Sequence, residues 1–178
     1  RVDRFLGLAA RHGIRAIIVF LDGVWNNRAY LGPQDEPIPG VHNSRWVQSP
    51  TSPEVVEPAA WPRLRDYVQG VLGRFTDDER VLMWDLYNEP GNQDLHELSI
   101  PFLRQVWIWA LEARPSQPLT VDAWFHDPAV DEVSLSVSDI ITFHHYNSLE
   151  QLAERIAKIS KYGRPAICTE YMARTRGN

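Results

Sequence analysis

Short apolar runs alternate with amphipathic helical patterns along this chain, and this alternation limits the possible folds more than any other feature. The order helix, glycine, apolar run occurs around Gly13 and again around Gly163. Continuous apolar strands between amphipathic helices are typical of a parallel sheet that is covered on both faces. We therefore predict helices over residues 2–9, 61–75, 100–113 and 148–159, and strands over 14–21, 81–88, 119–122, 140–145 and 166–170.

A covered parallel sheet forms either a barrel or a doubly wound open sheet. No glycine-rich phosphate loop follows any predicted strand, which weighs against a doubly wound sheet that binds nucleotides. The 178 residues suffice for one domain with a sizeable core, so we treat residues 1–178 as a single domain. Residues 22–60 show no periodicity and follow a predicted strand end. We predict that they form a long active-site loop, although a flexible insertion would also fit the sequence.

Composition excludes several classes of partner. The net charge of -5 and the lack of a basic cluster argue against nucleic acid and against an anionic membrane surface. The apolar runs are only as long as strands, so no transmembrane helix is predicted. The single cysteine, Cys168, leaves no internal disulfide and no cysteine-based zinc site. We expect no cofactor and no metal, and the sequence leaves the cellular compartment open.

Two predicted strands end in a glutamate. Glu89 lies in the tetrapeptide Tyr87-Asn88-Glu89-Pro90 at the end of one strand, and Glu170 ends the last predicted strand. In a parallel sheet both strands would end at the same edge. Hydrolysis of a glycosidic bond requires at least two carboxyl groups, and rigid strands would hold these two on one rim of the sheet.

Side-chain alternation along the strands adds further polar groups to this rim. Three sets of residues are each expected to share a face: Asp85, Tyr87 and Glu89; Thr142, His144 and Tyr146; Ala166, Cys168 and Glu170. If these faces point into a barrel, Asp85, Glu89, His144, Tyr146 and Glu170 converge at its top. For Asp85, a core carboxylate in a structural hydrogen-bond network is an equally open interpretation.

The combination of Asn88-Glu89-Pro90, His144-His145-Tyr146 and Thr169-Glu170-Tyr171 resembles the retaining glycoside hydrolases with a (β/α)8 barrel. The resemblance is closest to the cellulase-like family 5 enzymes and their mannanase and xylanase relatives. It implies that Glu89 is the acid/base, Glu170 the nucleophile and Asn88 a ligand of the sugar 2-hydroxyl. It also implies that His144 and Tyr146 orient Glu170 and the substrate, which is a carbohydrate.

The resemblance also implies an α/β fold that is a partial (β/α)8 TIM-type barrel. It covers strands 3 to 7, so the first two strands and the last are expected to be missing. A complete barrel typically needs about 250 residues. Both edge strands of a partial barrel would have unpaired backbone groups, and we predict homo-oligomerisation through these open edges. The Asp-x-His that often ends strand 3 in the family is Asp22-Gly23-Val24 here, without the histidine.

Some of the seven tryptophans have a predicted role at the rim. Trp25, Trp46 and Trp124 lie at or beyond predicted strand ends, where an exposed ring could stack on the apolar face of a sugar. Trp84, Trp107 and Trp109 fall within strand and helix patterns, so core packing is favoured for them.

These observations predict a retaining glycosidase that cleaves β-linked glycosides of the glucan, mannan or xylan type. The main alternative is a barrel remnant that binds sugar at most and has no activity. A metal-dependent hydrolase is a weaker alternative, because neither His-x-His nor His-Glu-x-x-His occurs. An esterase activity carried by other residues is the last alternative. The metal-dependent alternative would draw its ligands from Asp22, His126, His144, His145 and Glu170.

Overall fold

A computed structural model of the chain describes residues 1–24, 26, 30, 32–41 and 43–171. Helices and strands alternate through these residues, as the hydrophobic pattern predicts. The helices are α1 (Val2–Ala10), α2 (Ser52–Val56), α3 (Trp61–Arg74), α4 (Ile100–Ala113), α5 (Pro128–Val137) and α6 (Leu149–Ile159). The strands are β1 (Ala16–Val19), β2 (Val81–Asp85), β3 (Leu119–Thr120), β4 (Ile141–His145) and β5 (Ala166–Tyr171).

The strands are parallel and lie side by side in chain order. β1, β2 and β3 form one sheet, and β4 pairs with β5. A single parallel bridge between Ala123 and Phe143 connects the two groups just beyond the end of β3. This order is that of consecutive strands in a TIM barrel, which confirms the predicted α/β barrel-type fold. The barrel is not closed by the residues that the structure describes, and homo-oligomerisation through its edges stays a prediction.

The main core lies between the sheet and the outer helices. Leu64, Val68 and Leu72 of α3 are buried, as are Phe102 and Val106 of α4. Trp84 of β2 is fully buried against them, and its indole N–H donates to Gln117 Oε1 at 3.0 Å. Burial of each large apolar side chain stabilises the fold by about 1.5–3 kcal/mol. The core-packing role predicted for Trp84 and Trp109 is confirmed.

The segment 22–60 has more structure than the predicted loop. It contains the short helix α2 and a 3-10 turn over Pro58–Ala60. A capping box at Thr51, with Glu54 three residues later, starts α2. A five-residue helix shows too little periodicity to be recognised in the sequence. Ser49 exchanges two backbone hydrogen bonds with Asp22, at 2.7 and 2.9 Å, so the segment returns to the end of β1.

Helix α5 is absent from the predicted pattern because its start resembles a turn. Asp127 precedes Pro128, a dipeptide that favours turns, but here it caps a helix. The Asp127 carboxylate accepts hydrogen bonds from the backbone N–H groups of Ala129 and Val130 at 3.0 and 3.3 Å. No helix within the described ranges is long and apolar enough to cross a membrane.

Candidate active site

Polar side chains converge on a cavity at the carboxyl ends of the strands. The site therefore lies where a parallel barrel is expected to place it. Two apolar side chains of β1 and five residues from the ends of β2, β4 and β5 line this cavity. They are Ile17, Val19, Asp85, Asn88, His144, Thr169 and Glu170.

Glu89 reaches the site through an unusual backbone conformation. β2 ends at Asp85, and Glu89 has a φ of 46°, in the left-handed region that residues other than glycine seldom adopt. Its Oε1 atom lies 2.7 Å from Nδ1 of His144. Its Oε2 atom accepts a hydrogen bond from the amide of Asn92 at 3.2 Å. Both oxygens are thus held in place, and Asn92 is a site residue that the sequence analysis missed.

Gly23 allows the chain to pass close behind Glu89. Its N–H donates to the carbonyl oxygen of Asn88 at 2.9 Å. A Cβ atom at this position would lie 2.3 Å from the backbone oxygen of Glu89, a distance that real Cβ atoms essentially never show. Gly23 is therefore required for the close approach of two backbones, and Val24 occupies the position where the family often has a histidine.

Substitution of Gly23 by alanine is expected to displace the backbone of Glu89 and to destabilise the fold by several kcal/mol, since the opposing atom is backbone and cannot move aside. The melting temperature measured by circular dichroism should fall accordingly. Gly70→Ala is the matched control. It lies in α3 with nothing within 4 Å of the added Cβ, so its melting temperature should be unchanged or slightly higher. Equal melting temperatures for the two variants would contradict the steric role of Gly23.

Glu170 reaches the cavity through an irregularity in β5. Phe143 pairs with Cys168, but the next residue of β4, His144, pairs with Glu170, so the register skips Thr169. Thr169 and Glu170 consequently both line the cavity, whereas Cys168 packs on the helix side against the smaller core cluster. The prediction that Cys168 and Glu170 share a face was wrong, because a bulge reverses the alternation of a strand.

Tyr87 also departs from the predicted alternation. Its side chain is fully buried on the helix side and packs edge-on against Phe102, with ring centroids 6.0 Å apart. The strand ends at Asp85, and the N–H of Tyr87 donates to Asp85 Oδ1 at 3.2 Å, so the backbone leaves the extended path there. The prediction that Tyr87 shares a face with Asp85 was therefore wrong.

The two strand-end glutamates lie close together, with His144 between them. One carboxylate oxygen of Glu89, one ring nitrogen of His144 and one carboxylate oxygen of Glu170 all lie within 4.8 Å of one another. Nε2 of His144 is 3.4 Å from Glu170 Oε1, and the Tyr146 hydroxyl donates to Glu170 Oε2. The structure thus brings together the residues that the sequence placed at the top of the barrel.

Asp85 and Asn88 complete the floor of the cavity. Asp85 is 4% exposed, and burial raises the pKa of its carboxyl group to about 7, against the lowering effects of the Tyr87 N–H and of His144. The amide of Asn88 donates to Asp22 Oδ1 at 3.2 Å. Burial also raises the pKa of the Asp22 carboxyl group. Asn88 therefore lines the cavity with its amide group held by Asp22.

Trp124 is one of the tryptophans predicted at the rim. Its indole N–H donates to the carbonyl oxygen of Pro90 at 2.8 Å, so it lies beside the loop that carries Glu89. Its ring stacks on His126, with centroids 4.6 Å apart and planes inclined by 32°. Of the two other predicted rim residues, Trp46 is exposed and Trp25 lies outside the described residues.

The histidines proposed as metal ligands do not form one cluster. His145 is buried and its Nε2 atom lies 2.9 Å from the carbonyl oxygen of Ser148. His126 stacks on Trp124 and is not part of the group formed by Glu89, His144 and Glu170. Within the described part of the chain, three side chains have a spacing that could hold a metal ion, namely Glu89, His144 and Glu170.

Asp122 is a further acidic residue at the site. It is fully buried just beyond β3, and its Oδ1 atom lies 3.4 Å from Nε2 of His144. In the sequence, Asp122 ends the predicted strand 119–122 and alternation places it on the same face as Thr120, but it has no distinctive spacing to the other site residues.

Comparisons with known proteins agree with this fold. The family model of the glycosyl hydrolases family 2, TIM barrel domain, matches residues 39–178. A probable mannan endo-1,4-beta-mannosidase A-2 of Aspergillus terreus is 31% identical over 90 residues, which are 51% of this chain. The chain spans only 20% of the length of that relative.

Two solved structures show the same fold at low sequence identity. A beta-D-glucuronidase of Dictyoglomus thermophilum superposes with a TM-score of 0.60 and 20% identity, over 95% of this chain and 28% of its own. A beta-glucuronidase of Faecalibacterium prausnitzii superposes with a TM-score of 0.51 and 18% identity, over 62% of this chain and 20% of its own. At these identities the likeness concerns the fold alone.

Proposed function

Because this chain belongs to the glycosyl hydrolases of family 2 through their TIM barrel domain, we propose that it hydrolyses β-linked glycosides with retention of configuration. The sequence resemblance to barrel glycoside hydrolases is confirmed at this level, whereas membership in family 5 is not shown. The observation that carries the proposal is the closeness of Glu89 and Glu170, because a carboxylate oxygen of one lies within 4.8 Å of a carboxylate oxygen of the other. This short contact supports the small carboxyl separation of retaining enzymes, about 5–5.5 Å, over the about 6.5–9.5 Å that inverting enzymes need.

In the proposed first step, Glu170 is the nucleophile and Glu89 the general acid. An oxygen of Glu170 attacks the anomeric carbon, and the bond from that carbon to the leaving oxygen breaks. The Glu89 carboxyl group gives its proton to the leaving oxygen. Tyr146 donates a hydrogen bond to Glu170 Oε2, which leaves Oε1 as the oxygen that attacks.

In the proposed second step, a water molecule releases the sugar from Glu170. Glu89, now a carboxylate, takes a proton from the water, whose oxygen bonds to the anomeric carbon while the ester bond to Glu170 breaks. Each carboxyl group thereby returns to its starting state. His144, between Glu89 and Glu170, holds both side chains at the required distance, and Asn88 is the proposed ligand of the sugar 2-hydroxyl.

The proposed substrates are neutral β-glycosides, with the mannan type first. The match to a mannan endo-1,4-beta-mannosidase supports this choice. The charges near the cavity support it too. Among the described residues that line the cavity there is no lysine or arginine, but Asp85 and Glu170 are present. A glucuronide would bring its own carboxylate next to like charges, which is unfavourable.

A metal-dependent hydrolase is the second candidate function. The mutual spacing of Glu89, His144 and Glu170 favours it, because one histidine and two carboxylates are ligands that several divalent cations accept. This candidate and the retaining mechanism differ in one simple property, the sensitivity of the activity to a chelator.

The direct test is an assay of the purified chain on 4-nitrophenyl β-D-mannoside, glucoside, xyloside and glucuronide and on β-1,4-mannan, with and without EDTA. We expect release of 4-nitrophenol from one or more neutral glycosides and no effect of EDTA. Turnover of the glucuronide alone would contradict the proposed substrate class. Activity that EDTA abolishes and added metal restores would favour the metal-dependent candidate. If no substrate is turned over, the result would contradict the proposed hydrolysis and favour a barrel remnant without activity.

A further inference from the structure

Asp122 is a fully buried acid beside the site, and the retaining mechanism gives it no role. Its side chain is 0% exposed, and neither carboxyl oxygen has a hydrogen-bond partner among the described residues. Buried polar groups are almost always hydrogen-bonded in native structures, so an unpaired carboxyl group in a candidate active site requires an explanation.

Nε2 of His144 lies between two acceptors. It is 3.4 Å from Asp122 Oδ1 and 3.4 Å from Glu170 Oε1. The other ring nitrogen, Nδ1, contacts Glu89 Oε1 at 2.7 Å. Nε2 of His144 therefore lies equally far from Asp122 and from Glu170, and a small tilt of the ring would point an Nε2–H group toward either acceptor.

The neighbouring strands fix Asp122 and His144 relative to one another. Two residues before each of them, the hydroxyl groups of Thr120 and Thr142 are 2.9 Å apart in the buried interior. One residue beyond Asp122, Ala123 forms the backbone bridge to Phe143. Contacts on both sides of Asp122 in the sequence thus fix its position relative to His144.

We propose that Asp122 is a positioning residue that accepts the Nε2–H hydrogen bond of His144 while Glu170 carries the sugar. The inference rests on the proposed function. In the free enzyme, the Glu170 carboxylate attracts this hydrogen. Once Oε1 forms the ester bond to the sugar, Glu170 is neutral and its Oε1 atom is a poor acceptor. Asp122 then keeps the ring in place, and with it the carboxylate of Glu89, which must accept a proton from water in the second step.

The electrostatic surroundings of Asp122 fit this role. Burial, together with the charges of Asp85, Glu89 and Glu170, raises the pKa of the Asp122 carboxyl group well above its usual range. A neutral carboxyl group still has a carbonyl oxygen that accepts a hydrogen bond. The role therefore requires an acceptor and no charge, so asparagine should be able to perform it and a leucine of similar shape should not.

The test compares Asp122→Leu and Asp122→Asn with the wild type in the full chain. The substrate is the 2,4-dinitrophenyl β-glycoside of whichever sugar the wild type accepts in the glycoside panel. With this good leaving group, kcat reports the second step and kcat/KM reports the first. We expect Asp122→Leu to lower kcat by about tenfold and to leave kcat/KM within about threefold, since one hydrogen bond is lost in one step. Asp122→Asn should recover most of kcat.

Other outcomes would overturn the inference. An unchanged kcat in Asp122→Leu, or an equal loss of kcat and kcat/KM in both variants, would leave Asp122 with a structural role or none. If Asp122→Leu does not fold, Asp122→Ala carries the same expectation. A wild type that hydrolyses none of the glycosides would instead remove the proposed function, and the inference with it.

Discussion

Replacement of Glu170 by glutamine is expected to lower kcat/KM for any accepted glycoside by about 10⁴-fold or more. Glutamine has the same shape, but its neutral amide cannot displace the leaving group and form the glycosyl ester. The side chain is partly exposed, and the backbone pairing of β5 with β4 does not depend on it, so the fold should be preserved. The measurement is the initial rate of 4-nitrophenol release, together with a melting curve.

Glu154→Gln is the matched control for this substitution. Glu154 is an exposed residue of α6, so the same chemical change there should leave the rate within about twofold. A second variant, Glu170→Gly, should regain activity in sodium azide and release an α-glycosyl azide, because azide attacks from the face that the carboxylate has vacated. Substantial activity of Glu170→Gln without any rescue agent would contradict the nucleophile role.

Replacement of Glu89 by alanine is expected to have an effect that depends on the leaving group. A phenyl glycoside needs a proton on its leaving oxygen, so its kcat/KM should fall by about 10³-fold or more. A 2,4-dinitrophenyl glycoside leaves without a proton, so its kcat/KM should fall by less than about tenfold. The kcat for that substrate should still fall strongly, because the water of the second step has lost its base.

Azide provides the control for the Glu89 role. It needs no base, so it should restore kcat of Glu89→Ala on the dinitrophenyl glycoside and yield a β-glycosyl azide. The product would thus differ in anomeric configuration from that of the Glu170→Gly variant. A loss of the same size for both leaving groups, with no effect of azide, would mean that Glu89 supports the fold of the site and carries no proton.

The strands and the two strand-end glutamates were predictable because buried strands and helices show a regular spacing of apolar residues in the sequence. All five strands and four of the six described α-helices follow from apolar runs and helical spacing. The edge at which Glu89 and Glu170 meet follows from the parallel arrangement alone. The short helix α2 lacks such a spacing, and the Asp-Pro start of α5 resembles a turn.

The sequence did not predict how the two glutamates reach the cavity. Simple alternation placed Tyr87 beside Asp85 and Cys168 beside Glu170, and both placements were wrong. In the structure, Glu89 adopts a left-handed conformation behind Gly23, and β5 skips one residue at Thr169. Such irregularities depend on contacts with other strands, which the local pattern of apolar residues does not record.

Two supporting residues escaped the sequence analysis for a related reason. Asn92 lies in a loop without periodicity, and only the folded chain brings its amide to Glu89. Asp122 ended a predicted strand, but a single acidic residue at that position has no distinctive spacing to the other site residues. Their roles become visible only through their contacts, in particular the 3.4 Å between Asp122 and His144.

The central claim is that Glu170 forms a covalent bond to the sugar, and trapping that bond tests it most directly. A 2,4-dinitrophenyl 2-deoxy-2-fluoro-β-glycoside of the accepted sugar slows both steps but keeps a good leaving group, so the glycosyl-enzyme should accumulate. Mass spectrometry of the intact chain and of its peptides should show one added fluorosugar, attached to Glu170. A wild type that hydrolyses the parent glycoside but carries no label, or a label on a different residue, would contradict the account.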